Sequence, residues 1–244
     1  MSSRFSTGKP IVVALMVLWS GIAAQAWQLG ARETKEWVDR LENPERIAGL
    51  KIGEVIQRLG LKPGMIVADI GAGTGVFSRS FAKAVAPGGK VYATEVDQGL
   101  VDFIGQKAKQ VGIGNLQAIL GKFEDPLLPS RDVDLAFFHD VMHHIEHREA
   151  YLKTLISYLK PTGRIALIEF EPASQQHPHQ EPGQAQGQQE GHMQVSKESV
   201  THWLAGLGFR PAAEPDLFKG NKWFVIFERG TAPADEDIPE ISHH

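Results

Sequence analysis

A glycine-rich turn is the feature that most limits what this chain can fold into. Gly71, Gly73 and Gly75 follow the apolar run Met65–Ile70, and a helical pattern comes next, over 76–85. Glycines at these positions permit a tight turn and let a ligand approach the backbone closely. A strand, a glycine turn and a helix in this order are typical of open α/β sheets, which bind ligands beyond the carboxyl ends of their strands.

Strands and helices continue to alternate after this turn. We predict strands at 90–95, 116–120, 133–138 and 164–170, helices at 98–111 and 146–159, and then a helix at 197–207 with an antiparallel pair at 209–215 and 221–227. This alternation predicts an α/β fold with a mostly parallel sheet and helices on both faces. Before the turn, 27–61 reads as a helical segment that Pro44 interrupts.

The first 26 residues have the pattern of an export signal. Arg4 and Lys9 precede the nine-residue apolar run 11–19, and Ala24 and Ala26 are spaced as in a cleavage site. The run is shorter than the about 20 residues of a membrane span, but 10–29 could still form an uncleaved anchor. We therefore expect an exported or membrane-anchored, periplasmic domain, although a start at Met16 would leave it cytoplasmic. A helix of the folded domain is the remaining alternative.

The rest of the chain divides by composition. We assign 62–229 to the main domain, within which 171–194 is rich in proline, glycine and glutamine and is predicted to be a long mobile loop. The acidic stretch 230–244 is predicted to be a disordered tail.

Composition excludes several classes of function. The sequence has no cysteine, which rules out disulfides, thiolate metal sites and cysteine nucleophiles. With 25 basic and 29 acidic side chains the formal net charge is -4, so we predict no nucleic-acid partner. Composition does not predict an oligomeric state.

The spacing around the turn favours a ligand without phosphates. A dinucleotide site reads G-x-G-x-x-G, whereas here Val76 follows Gly75 and the spacing is G-x-G-x-G. Asp69 would repel a phosphate, and Glu95, at the end of the next strand, can accept hydrogen bonds from ribose hydroxyls. A nucleoside with a cationic amino-acid tail meets these conditions, as S-adenosylmethionine does.

Four ordered segments carry a family resemblance. Segments 69–75, 91–97, 132–138 and 159–164 resemble the signatures of class I S-adenosylmethionine-dependent methyltransferases, in particular the small-molecule enzymes of the ubiquinone/menaquinone type. The resemblance runs from about Lys51 to Phe227. It implies a Rossmann-like seven-stranded sheet in the order 3-2-1-4-5-7-6, with the seventh strand antiparallel.

The resemblance also implies which residues bind S-adenosyl-L-methionine. Lys122 stands where the family often has an acid near the adenine, which leaves Glu124 or Asp125 for that contact. The implied cofactor-binding residues are Asp69, Gly71, Ala72, Gly73, Thr74, Gly75, Phe77, Glu95, Val96, Phe123, Glu124, His139 and Asp140.

A histidine cluster follows the fourth strand. Four of the nine residues from His139 to His147 are histidines. His143 or His144 could act as a general base, since imidazole titrates near neutrality, and Asp140 could orient an imidazole or a substrate group. Glu169, near the end of the fifth strand, is expected to close the pocket from the opposite side.

Two alternatives remain open for these residues. His139, His143 and His144 could bind a metal with Glu169 or His192, but no H-E-x-x-H or similarly fixed spacing is present, and we predict no metal. The domain could also be a non-catalytic nucleoside-binding module. A nicotinamide-dependent oxidoreductase is disfavoured by the glycine spacing.

The methyl acceptor is expected to be a small molecule. A small thiol or another soft nucleophile is favoured, because a neighbouring imidazole helps to form a thiolate. A phenol or quinone-type oxygen or carbon is the alternative.

Overall fold

The computed structural model describes residues 34–171 and 195–230. Three helices come first: α1 (Thr34–Leu41), α2 (Pro44–Gly49) and α3 (Ile52–Leu59). The alternating part then comprises β1 (Ile66–Ile70), α4 (Val76–Ala84), β2 (Lys90–Glu95), α5 (Gln98–Gln110), β3 (Leu116–Leu120), β4 (Val133–His139), a 3₁₀ turn (Met142–His144), α6 (Arg148–Ile156), β5 (Leu159–Phe170), α7 (Lys197–Gly206), β6 (Phe209–Ala213) and β7 (Lys222–Arg229).

The strands form one sheet in the order β3-β2-β1-β4-β5-β7-β6. β1 pairs in parallel with β2 and β4, β5 pairs in parallel with β4, and β7 is antiparallel to β5 and β6. The predicted fold class and strand order are confirmed. The carboxyl ends of β1, β2, β4 and β5 therefore share one edge, and Lys222, at the start of β7, pairs there with Phe170.

Both faces of the sheet are buried. Alternate residues of β4 face opposite sides, so that Ala136 and Phe138 join one core cluster while Leu135 and Phe137 join the other. This is why the strand reads as a nearly continuous apolar run rather than an alternating one. The Phe137 ring packs 5.0 Å from the rings of both Phe77 and Phe81 on α4.

The prediction for 146–170 was partly wrong. The helix α6 ends at Ile156, and β5 begins at Leu159 rather than at Arg164. Between the pairs Val133↔Leu159 and Leu135↔Arg164 the register shifts, so 160–163 bulge out of the ladder. Proline ends a helix but is tolerated at a strand bulge, and Pro161 lies in this one.

The helices α1 to α3 pack on the sheet domain. Leu50, Val55 and Leu59 are buried in the same core cluster as Phe81 and Phe137. The segment predicted at 27–61 thus contributes apolar side chains to the core through its described part.

Several predictions concern residues outside the described ranges. The export signal or anchor at 1–26 and 10–29, the loop from 172 onward and the tail from 231 onward stay predictions. Within 34–171 and 195–230, none of the helices has the length and apolar character needed to cross a bilayer.

The aromatic cluster gives a direct test of the core. Replacing Phe137, which is fully buried, by alanine should lower the free energy of unfolding by about 3–5 kcal/mol, because it leaves a cavity between α4 and the sheet. Phe123→Ala, at a half-exposed ring, should change it by less than about 0.5 kcal/mol. Urea denaturation of both variants makes the comparison, and equal losses would contradict this packing.

Candidate functional site

The glycine turn adopts a backbone that other residues rarely take. Gly71, Gly73 and Gly75 have φ angles of +64°, +59° and +72°, all in the left-handed region that favours glycine. A Cβ at Gly71 would also overlap the side chain of Val141, whose Cβ would lie 2.9 Å away. The turn therefore lies directly against the segment that follows β4.

Glu95 fastens this turn to the end of β2. Its Oε1 accepts a hydrogen bond from the Gly73 N–H at 2.9 Å, and its Oε2 accepts one from the Val96 N–H at 2.8 Å. Burial raises the pKa of the Glu95 carboxyl, while these amide donors lower it. A carboxylate offers about four lone-pair directions. Glu95 thus keeps acceptor capacity for a diol in addition to holding the turn.

The Asp69 carboxylate is buried between β1 and α4. It is 3% exposed and accepts a hydrogen bond from the Ser78 hydroxyl on α4. Burial raises the pKa of the Asp69 carboxyl to about 7; the Ser78 bond opposes this shift and the charge of Glu95 adds to it. The residue predicted to lie near the ligand's amino group therefore ties β1 to α4 and has almost no exposed surface for a direct contact.

Two buried oxygens near the turn have no hydrogen-bond partner within the described chain. They are Thr74 Oγ1 and Asp140 Oδ1. A buried polar atom without a partner costs free energy that a bound ligand can recover. Arg79, the cation beside the turn, already pairs with Glu42 and donates to the Thr74 carbonyl. Carboxylates and unpaired oxygens, rather than open cationic groups, suit a cationic nucleoside such as S-adenosylmethionine.

The N-terminal helices cover this turn. A Cβ at Gly73 would lie 3.0 Å from Leu41 Cδ1, so α1 reaches the glycine backbone. The Glu42 carboxylate accepts two hydrogen bonds from Arg79, at 2.9 and 3.0 Å, and fixes the end of α1 over the first turn of α4. A ligand on the turn would lie beneath this helix.

His139 ends β4 within the core. Its ring lies 4.9 Å from Phe77, and its Nε2 is 3.4 Å from the Lys222 ammonium. Burial, followed by the charges of Lys222 and Arg46, holds the pKa of His139 well below its ordinary value. His139 is therefore neutral at physiological pH, and its ring packs on Phe77.

Asp140 forms an ion pair that sequence reasoning did not foresee. The Lys222 ammonium donates to Asp140 Oδ2, and Asp140 adopts a left-handed φ of +55°. Burial raises the pKa of Asp140, while the Lys222 charge lowers it. Arg46 lies near enough for the Asp140 charge to raise its pKa against the lowering effect of burial. The only available signal for Lys222 was its place at the start of the strand beside β5.

Glu169 organises the histidine segment. This carboxylate is 2% exposed and accepts hydrogen bonds from the Met142 N–H at 2.7 Å and from His143 Nδ1 at 2.9 Å. Glu169, rather than Asp140, contacts the His143 imidazole. Asp140 Oδ2 instead lies 3.4 Å from Nδ1 of the His139 imidazole. With Nδ1 donating to a carboxylate, Nε2 of His143 carries the free lone pair.

His144 is a neutral neighbour of this pair. Its ring lies 4.1 Å from the His143 ring. Burial, followed by the charge of His143, lowers the pKa of His144 to about 4. Of the two histidines proposed from the sequence, His143 alone is oriented by a carboxylate, so it is the stronger candidate for a base.

The remaining predicted residues fall into two places. Phe77 packs in the aromatic cluster and is 6% exposed, so its ring is a core contact rather than an open ligand surface. Phe123 and Glu124 are exposed in the loop after β3, which the Gly121 N–H ties to the Glu95 carbonyl at 2.8 Å. Asp125 already accepts hydrogen bonds from Tyr158 Oη and the Leu127 N–H.

The described ranges contain no set of side chains that could form a metal centre. No group of three or more histidine, aspartate or glutamate side chains there is arranged to hold an ion. His192, one of the ligands considered from the sequence, lies outside those ranges.

Comparison with known proteins points to one group. Residues 61–223 match a family described as "Methyltransferase domain". A ubiquinone/menaquinone biosynthesis C-methyltransferase, UbiE, from Ectopseudomonas mendocina is 29% identical over 116 residues, which are 47% of this chain and 45% of that protein. The chain thus matches about half the length of its curated relatives.

Solved structures agree on the fold. A SAM-dependent methyltransferase from Aquifex aeolicus superposes with a TM-score of 0.68 at 23% identity, covering 81% of this chain and 99% of that one. Magnesium protoporphyrin IX methyltransferase from Synechocystis PCC 6803, solved with bound SAH, gives 0.57 at 21% identity, covering 75% and 84%. The family match includes both the glycine turn and the His143–Glu169 pair.

The contact between Gly71 and Val141 can be tested with a matched pair of glycines. Gly60 has nearly the same φ as Gly71, +62°, but open space where a Cβ would go. Gly60→Ala should destabilise by about 1 kcal/mol through backbone strain alone, and Gly71→Ala by about 1–3 kcal/mol more through overpacking. Urea denaturation measures both, and adding Val141→Ala should recover part of the Gly71→Ala loss. Equal losses for the two alanines would contradict the close approach.

Asp69 gives a pH-dependent test. Because its pKa is about 7 in the folded chain and about 3.9 when unfolded, its contribution to stability is full below pH 4 and is lost as the pH rises through 7. Asp69→Asn cannot ionise and still accepts from Ser78. Its stability relative to the parent should therefore rise between pH 5 and 8.5, by an amount on the order of a few kcal/mol. Exposed Asp216→Asn is the control, and a pH-independent difference for Asp69→Asn would contradict the burial argument.

Proposed function

The chain belongs to the methyltransferase-domain family, and from that premise we propose that it transfers a methyl group from S-adenosylmethionine to a small-molecule acceptor. When bound, S-adenosylmethionine supplies a methyl carbon already activated by its sulfonium. The protein's task is then to hold the acceptor in line, exclude water and remove any proton that the nucleophile carries.

The carboxyl edge of the sheet supports the donor side of this proposal. The backbone of the turn from Gly71 to Gly75 would bind the amino-acid end, and the Glu95 carboxylate can accept from ribose hydroxyls. The unpaired Asp140 Oδ1 and Thr74 Oγ1 are acceptors for donor groups of the ligand. These groups are hydrogen-bond acceptors or carry negative charge, which suits a methyl donor that is cationic.

The His143–Glu169 pair is the observation that carries the catalytic part. His143 Nδ1 donates to Glu169, so Nε2 can accept a proton from the acceptor, and the buried carboxylate stabilises the imidazolium that forms. His143 lies two residues after Val141, and Val141 packs against Gly71 of the glycine turn. Donor and base are thus held to the same short segment.

A base at this position indicates an acceptor that is protonated at neutral pH. The relatives named for ubiquinone and menaquinone biosynthesis are C-methyltransferases, which favours a phenol-type ring methylated at carbon or oxygen. A small thiol is the second candidate, because an oriented imidazole can also generate a thiolate. A product screen with labelled donor against phenols and thiols decides between them.

Variants of the pair test the proposal. His143→Ala and Glu169→Gln should each lower kcat by about 10²–10⁴-fold, since they remove the base or its orientation. The dissociation constant for S-adenosylmethionine should stay within about twofold, because neither side chain is assigned to the donor. His202→Ala, at an exposed histidine on α7, is the control.

Two results would count against the proposal. Full turnover in both variants would remove the proton-transfer role. Donor binding by the parent protein without methylation of any phenol, thiol, amine or lipid would instead favour a nucleoside-binding module.

A further inference from the structure

A cavity opens beside Lys222 at the edge where β5 ends. Its volume is about 330 Å³, and it is lined by Gly49, Lys51, Phe218, Lys219, Asn221 and Lys222. Lys222 pairs in register with Phe170, the last residue of β5, so the cavity adjoins the strand that carries Glu169. None of the donor-binding or proton-transfer roles above involves this space.

The cavity is cationic although the chain as a whole is acidic. Three of its six lining residues are lysines, and the carboxylate in contact with them is Asp140, which pairs with Lys222. Lys51 Nζ donates to the Leu217 carbonyl at 2.7 Å, which leaves two of its three N–H donors. Lys219 is exposed and forms no ion pair with any described residue. More donors and positive charge gather here than the local chain satisfies.

Backbone strain converges on the same place. Lys51 and Lys219 have left-handed φ angles of +49° and +47°, and Asp140 one of +55°. These are three of the four non-glycine residues with positive φ in the described ranges. A lysine has no intrinsic preference for this conformation, and strained residues cluster at ligand sites. Glycine or asparagine would fit this backbone conformation with less strain. The presence of lysines there therefore indicates that their charged side chains have a role.

Aromatic rings connect the cavity to the proposed base. The Lys222 ammonium lies 4.3 Å from the centre of the Phe170 ring, and that ring is 6.5 Å from the His143 ring. Lys51 lies 5.9 Å from the Phe218 ring, which lines the cavity. Cation–π contacts of this kind hold ammonium groups in place. A flat molecule held by the lysines could lie along Phe170 with its far end at His143.

We propose that this cavity binds an anionic group of the methyl acceptor, a carboxylate or a phosphate, and so directs the acceptor's nucleophile to His143. The inference rests on the proposed function. It adds the charge of the acceptor, which the family resemblance does not supply. Lys51 and Lys219 supply the free donors, and Lys222 joins the cavity to Asp140 and to the end of β5.

Direct binding tests this without an acceptor in hand. The full chain, labelled with ¹⁵N, is titrated with benzoate, phenyl phosphate and benzamide, the last being the neutral counterpart of benzoate. We expect saturable amide shifts at Lys51, Gly220 and Asn221 with one or both anions and much weaker shifts with benzamide; the better anion identifies the group. Equal binding of benzamide and benzoate, or shifts confined to other parts of the chain, would overturn the proposal.

Charge-neutral variants assign the effect to the lysines. Lys51→Gln with Lys219→Gln should raise the dissociation constant of the better anion at least about tenfold, because hydrogen bonds to charged groups are lost. Lys83→Gln with Lys109→Gln, both exposed and away from the cavity, makes the same change in net charge and should raise it less than about twofold. If both double variants raise the dissociation constant equally, the loss of affinity comes from net charge and not from the cavity lysines, and the proposal is overturned.

Calorimetry with S-adenosylmethionine separates this inference from the proposed function. Donor binding unchanged in the Lys51/Lys219 variant, together with loss of the anion, supports both. Donor binding by the parent protein without any preference for anions overturns only the cavity proposal. Anion binding without donor binding overturns the proposed function and leaves the cavity as an anion site of another kind.

Discussion

The parallel register of the central strands is the constraint on which the site depends. β1 pairs with β2 and β4, and β4 pairs with β5, all in parallel, so four carboxyl ends are fixed at one edge. Only β7 runs the other way, which brings its first residue, Lys222, to the same edge. Residues far apart in sequence therefore meet there, with no long loop needed to position them.

Two carboxylates, one buried and one partly buried, turn this edge into a preorganised site. Glu95 holds the glycine turn through the Gly73 N–H, and Glu169 holds the segment after β4 through the Met142 N–H and His143 Nδ1. Burying a charge is costly unless donors surround it, and each of these carboxylates accepts at least two hydrogen bonds. Because Val141 packs on Gly71, the two halves support each other directly.

The sequence predicted what is local and missed what depends on distant pairing. The turn and the place of Glu95 follow from glycine spacing and from the alternation of short apolar runs, which are properties of neighbouring residues. The strand order came instead from the family resemblance of four ordered segments. The Glu169–His143 contact joins residues 26 apart, and the Lys222–Asp140 pair joins residues 82 apart. No pattern in one sequence selects such partners, so the sequence did not pair Glu169 with His143 or Lys222 with Asp140. The same limit hid the bulge at 160–163, since it depends on how β5 pairs with β4.

Every role assigned to this edge of the sheet depends on the identity of the molecule that Glu95 and the glycine turn hold. Isothermal titration of the full chain with S-adenosylmethionine and, separately, with NAD measures it directly. We predict one S-adenosylmethionine bound per chain, at least about tenfold weaker binding after Glu95→Gln, and no detectable NAD binding. Saturable binding of NAD, with none of the methyl donor, would contradict the account.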